Sequence, residues 1–97
     1  MELYDLAYLK NRVQFMIKMN EVNDAKKMIE REVDYVVTCC NDGRADIAYH
    51  FYKTFNKYLS TKAHFKLTNA INKSGNKKFI SELCVLLDDS VNSNCIM

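Results

Sequence analysis

Residues 24–40, DAKKMIEREVDYVVTCC, allow two readings, and the choice between them decides the fold. Val36-Val37-Thr38 is β-branched and strand-like in isolation. Ala25, Ile29, Val33, Val36 and Cys40, however, recur every three or four residues and make one stripe. Val22 precedes that stripe, Met28 and Val37 flank it, and Glu30 and Asp34 fall on the outward side. Because it runs straight through the valine pair, helix is the reading. Asn23 is the expected N-cap, with Asp24 suited to the helix dipole. Asn41-Asp42-Gly43 is a stop, since asparagine and glycine tolerate the left-handed backbone that ends helices, and Asp42 is a candidate cap for the third helix.

The same period extends in both directions. Towards the amino terminus, Leu3, Leu6, Ala7, Val13, Met16 and Ile17 predict a helix over about 2–19. Tyr4, Tyr8, Phe15 and Met19 widen its apolar face beyond what one neighbour would cover, which marks a candidate protein-contact surface. Towards the carboxyl terminus, a helix over about 44–59 is expected to bury Ala48, Phe51, Tyr52, Phe55 and Leu59. Asp46, His50, Lys53 and Lys57 would form its back. Ser60-Thr61 reads as a break and cap before a helix over 61–73, with Ala63, Leu67, Ala70 and Ile71 inward. Ser74-Gly75-Asn76 ends it. A last helix, 77–91, is expected to bury Ile80, Leu83, Cys84, Leu87 and Val91, with a frayed tail over 91–97.

The chain of 97 residues has no proline and two glycines, so little interrupts these helices. The expected architecture is all-α: one domain over 1–97, a compact antiparallel bundle or helical-hairpin array of about five helices. Its radius of gyration should be roughly 13 Å. Residues 16–25, MIKMNEVNDA, resemble the turn of a tetratricopeptide hairpin, with Asn20 at the usual glycine and Ala25 at the alanine position. Gly43 to Ala48 repeats that interval 23 residues on, against about 34 in the tetratricopeptide family, so the resemblance implies helical hairpins and nothing more.

Charge is segregated beneath a total of +2. Residues 44–78 carry eight bases and one acid, Asp46, whereas residues 1–43 carry six bases and eight acids and residues 79–97 carry three acids. Such a basic middle suggests an anionic partner. Lys53, Lys57, Lys62, Lys66, Lys73, Lys77 and Lys78 are the candidate nucleic-acid or phosphate surface. Residues 73–78, KSGNKK, add free N–H groups at a helix start. Against this stand the three arginines, a low number of the residue that best reads bases and phosphates. The rings of Phe51, Tyr52 and Phe55 follow the core stripe, leaving Tyr49 and Tyr58 as candidates for free aromatic faces.

Other classes find no motif. Cys39, Cys40, Cys84 and Cys95 form no CxxC pair, and with His50 and His64 they lack zinc-ligand spacing, so no metal or cofactor is assigned. Reduced thiols, two of them packed as small hydrophobes, are expected. Asp46 and His50 stand four apart on one helix, a surface pair rather than a catalytic one, and no catalytic residue is assigned. No apolar run approaches the eighteen or so residues that cross a bilayer. The start has no basic n-region, and Cys95-Ile96-Met97 is one residue short of a prenylation box. An intracellular, cytoplasmic protein is expected. Ten asparagines and eleven lysines against three arginines fit an AT-rich genome, as in phages, large DNA viruses and some bacteria and protists, and a phage or viral source would place it in host cytoplasm. The leading functional expectation is a non-enzymatic adaptor, inhibitor or accessory protein that binds another protein, with homo-oligomerisation as a further partner reading. The alternative is a nucleic-acid or phosphate binder using the lysines.

Overall fold

Each apolar stripe becomes a helix that ends at the turn residues flanking it. The structure is a computed structural model describing the backbone of residues 2–96 and the side chains of residues 2–88. Its helices are α1 (Leu3–Lys18), α2 (Val22–Asn41), α3 (Ala45–Phe55), α4 (Thr61–Lys73) and α5 (Lys77–Ile96). A 3-10 turn, Asn56–Tyr58, follows α3. There is no strand among the described residues, so the Val36-Val37-Thr38 run is helical.

The first two turns are built alike. Asn20 (φ 64°) and Gly43 (φ 97°) both take the left-handed conformation. The N–H groups of Asn20 and Glu21 donate back to the carbonyls of Ile17 and Met16, at 3.0 and 2.8 Å. Those of Gly43 and Arg44 donate to Cys40 and Cys39, at 3.1 and 3.0 Å. These are two Schellman turns, each satisfying carbonyls that a helix end leaves open. Five residues after each turn residue comes a fully buried alanine, Ala25 and Ala48. The 23-residue echo is therefore a repeated helix–turn–helix geometry.

Those turns also correct the caps. The residue before α2 is Glu21 and not Asn23, because the left-handed Asn20 lets the next helix start at once. Asp42 closes α2 and does not cap α3, whose preceding residue is Arg44. The Ser60 cap matches expectation, its Oγ accepting from Ala63 N–H at 3.1 Å, and Asn76, expected only as part of a stop, also caps α5, its Oδ1 accepting from Phe79 N–H at 3.2 Å. The third helix ends at Phe55 rather than 59, because the 3-10 turn tightens the chain before Leu59 becomes extended. The last helix continues to Ile96, past the expected 91. Val91 and the expected frayed tail lie where side chains are outside the described residues.

Each helix packs chiefly on the next and on the next but one. Thus α1, α3 and α5 form one layer and α2 and α4 the other, with three-residue turns reversing direction between α1 and α2, α2 and α3, and α4 and α5. The extents, 38 × 38 × 22 Å, are those of a slab two helix diameters thick. The radius of gyration is 13.5 Å. Helix α3 touches all four others and buries Ala45, Ile47, Ala48, Tyr49, Phe51, Tyr52 and Phe55. The expected stripes of α2 and α4 are buried residue for residue, and Thr68 joins them.

Three expectations about burial fail. On α5, Cys84 faces solvent, because the inward stripe is centred on Leu83 and takes in Phe79 and Leu86 with Ile80 and Leu87. On α1, Leu3 and Ala7 are exposed, and the core line runs through Leu6 and Val13. On α3, Tyr49 is buried against the Phe79 ring, at 5.5 Å between centroids, and is no free aromatic face.

Replacing Gly43 with alanine should lower the unfolding free energy by about 1–2 kcal/mol. Nothing lies within 4 Å of where the new Cβ would stand, so the cost is backbone strain alone. Urea denaturation measures it, and an unchanged midpoint would refute the left-handed turn.

Candidate functional site

The four apolar residues singled out on the first helix stand in the open. Tyr4, Tyr8, Phe15 and Met19 are 74%, 67%, 63% and 59% exposed. At 100° per residue they fall on one narrow stripe, with Asn11 in its middle. The core residues Leu6 and Val13 lie on the opposite side of the same helix. Helix α1 is therefore apolar on two faces, one packed on α2 and α3 and the other bare.

The seven lysines are all exposed but do not share one surface. Lys53 borders a groove between α3 and α5 with Ser81, Glu82 and Val85. Lys57 borders another, between α3 and α1, with Lys10 and Gln14. Both thus belong to the α1–α3–α5 layer. Lys62, Lys66 and Lys73 form the outer stripe of α4 in the other layer, where Lys66 Nζ meets Asp34 Oδ1 of α2 at 2.9 Å. The expected single lysine face on the third and fourth helices is accordingly divided, because these helices lie in different layers. Lys77 and Lys78 open α5, and Lys78 sits over the Phe79 ring at 5.3 Å. The KSGNKK turn spends donors internally: Ser74 Oγ accepts from Asn76 N–H at 3.1 Å, and Asn76 caps α5.

Part of the charge segregation is likewise settled within the chain. Arg44 Nε and an η nitrogen reach the two oxygens of Asp46 at 3.0 Å each, and Arg44 also meets Glu2 at 3.2 Å. The carboxylate expected to face His50 is thus held by Arg44, and His50 packs on the rings of Tyr49 and Phe79 instead. Glu30, expected to face outward, accepts the backbone N–H of Ser60 at 2.8 Å. His64 Nδ1 hydrogen-bonds the Tyr52 hydroxyl at 2.9 Å, a link between α3 and α4. Burial raises the Tyr52 phenol above its ordinary value, and burial with the Glu82 charge does the same at Tyr49.

Cys39, Cys40 and Cys84 are thiols, none of them joined in a disulfide. Cys40 donates to the Ala70 carbonyl at 3.4 Å across the layer of α2 and α4, and burial pushes its pKa up, with smaller contributions from Asp46 and Cys39. It is an inert packing thiol. Among the described residues no group of three or more His, Cys, Asp or Glu side chains stands together, and no helix is long and apolar enough to cross a membrane.

No family model, curated protein or solved structure matches this chain. The surfaces must therefore be read from their own chemistry. Sequence reasoning found the α1 stripe because its rings exceed the helix's core face. It missed the partition of the lysines, since periodicity gives a face of a helix but not the layer that holds it.

The Arg44 hydrogen bonds, opposed by partial burial and helped by backbone N–H groups, hold the Asp46 carboxyl below its ordinary value. Such a group stabilises the fold while ionised: its contribution is complete above the unfolded pKa of about 3.9 and lost as pH falls through the lower folded value. Asp46→Asn should therefore melt below the wild type at neutral pH, and the gap should close below about pH 4. Thermal melts across that range check it, and a gap constant with pH would refute the assignment.

Proposed function

We propose that this chain is a small non-enzymatic protein-interaction protein, an adaptor, inhibitor or accessory factor of phage or viral origin, docking through the outward face of α1. One observation carries the reading: the bare stripe of Tyr4, Tyr8, Phe15 and Met19 lies opposite the helix's own core face, so no internal packing accounts for it. Tyrosine, phenylalanine and methionine are the residue types enriched at protein interfaces. Because these side chains are exposed, the double substitution Tyr8→Ser with Phe15→Ser should change folding stability by about 0.5 kcal/mol or less. It should abolish association with protein partners, read by sedimentation and by capture on the immobilised chain from host extract. Association retained by this variant would overturn the proposal.

Anion binding is the second reading, and the exposed α4 stripe of Lys62, Lys66 and Lys73 favours it. It ranks behind because the seven lysines are divided and Lys66 already has an acidic partner. Retention on heparin at low salt, lost in the Lys62→Glu, Lys73→Glu variant, is its expected signature. No retention at low salt would remove it.

A further inference from the structure

Independently of the bare rings of α1, we infer that the groove between α1 and α3 receives an extended segment of a partner protein, in which an apolar side chain and a carboxylate stand two or three residues apart. The two helices run side by side: Glu2 meets Arg44 where both begin, and the lining residues then advance together along both. Two hollows lie between them and join at Lys10 and Thr54, which line both. The upper one, about 280 Å³, is lined by Leu3, Leu6, Ala7 and His50. The lower one, about 160 Å³, lies over the buried Val13 and Phe55 and is walled by Gln14, Lys57 and Tyr58. Each is smaller than the roughly 300–1,000 Å³ of a pocket for a drug-sized ligand. Joined, they follow α1 over the eleven residues from Leu3 to Gln14. That is about 16 Å, the length of about five residues of extended chain.

Charge states what the lower hollow takes. Lys10 and Lys57 stand on its two walls, and no acid lines either hollow. No acid lies three or four residues from either lysine in the sequence. Among the described residues the ion pairs belong to Arg44 and Lys66, so neither Lys10 nor Lys57 has a carboxylate partner. Two like charges facing each other across a groove are relieved by an anion placed between them. The Thr54 and Tyr58 hydroxyls and the Gln14 amide add neutral donors at the same place.

The upper end selects a peptide over a polyanion. Leucine and alanine side chains line it, and at the helix starts beyond it Glu2 and Asp46 set two acids against the single base Arg44. A nucleic-acid strand, charged along its whole length, meets repulsion there. A segment that is apolar at one end and acidic at the other is matched at both.

The test is an array of immobilised hexapeptides that set leucine and glutamate at these spacings, with glutamine and alanine replacements, probed with the full chain and followed by anisotropy titrations. Glutamate peptides should bind at least about fivefold more tightly than their glutamine counterparts, and salt should weaken them. Lys10→Glu with Lys57→Glu should lose that preference and gain one for lysine at the glutamate position, a reversal that an unfolded variant cannot show. Ala7→Glu, which charges the upper hollow, should remove the advantage of leucine over alanine. Tyr8→Ser with Phe15→Ser lies about 100° around α1 from Ala7 and Gln14 and should bind the peptides as the wild type does. Loss of peptide binding in that variant overturns the groove as a separate site, whereas retained binding leaves it standing even if the α1 ring face captures nothing. No preference for glutamate at any spacing overturns the proposal. So does a single-stranded oligonucleotide that binds through Lys10 and Lys57 more tightly than every peptide.

Discussion

Burial of α3 on nearly every side is the condition that the other four helices meet together. A chain of 97 residues has little interior, and five helices could not be served by several separate cores. Sharing one helix solves this. Ala45 and Ala48 let neighbouring backbones approach closely, while Phe51 and Phe55, with ring centroids 5.0 Å apart, fill the remaining volume. Removing one such ring costs about 3–5 kcal/mol, against a total of about 5–15 for a domain of this size. Structure elsewhere depends on these few side chains.

Electrostatics is set by the layers. The acidic first part of the chain and its basic middle look, in linear order, like opposed poles awaiting partners. Folding brings Arg44 to Glu2 and Lys66 to Asp34, so part of the contrast is consumed inside the molecule. The Arg44–Glu2 and Lys66–Asp34 pairs are exposed and contribute little to stability, whereas the Arg44–Asp46 pair is half-buried. Their larger effect is to reduce the charge left for an outside ligand, and so to shift weight from the lysines to the bare rings of α1.

Legibility differed from helix to helix for a physical reason. The second and fourth helices could be read residue for residue, because each is buried on one side and its stripe is regular. The central helix could not: burial on almost all sides hides Ile47 and Tyr49 among positions that amphipathic spacing assigns outward. On the last helix, the run from Leu83 to Leu87 supports more than one stripe, and the inward face proved rotated away from Cys84. Helix 1 was legible as a surplus of rings, but only packing separates its inner face from its outer one. Caps were misread where a left-handed residue lets the following helix begin without a polar side chain, as at Glu21 and Arg44.

The packing order has a kinetic consequence. Each helix meets chiefly its immediate and second neighbours, so contacting residues are close along the chain and loop closure costs little at any stage. Topologies of this kind fold in about microseconds to milliseconds. A chain that gathers itself so quickly gives its apolar α1 face little time beside unfolded neighbours, where exposed rings would otherwise promote aggregation.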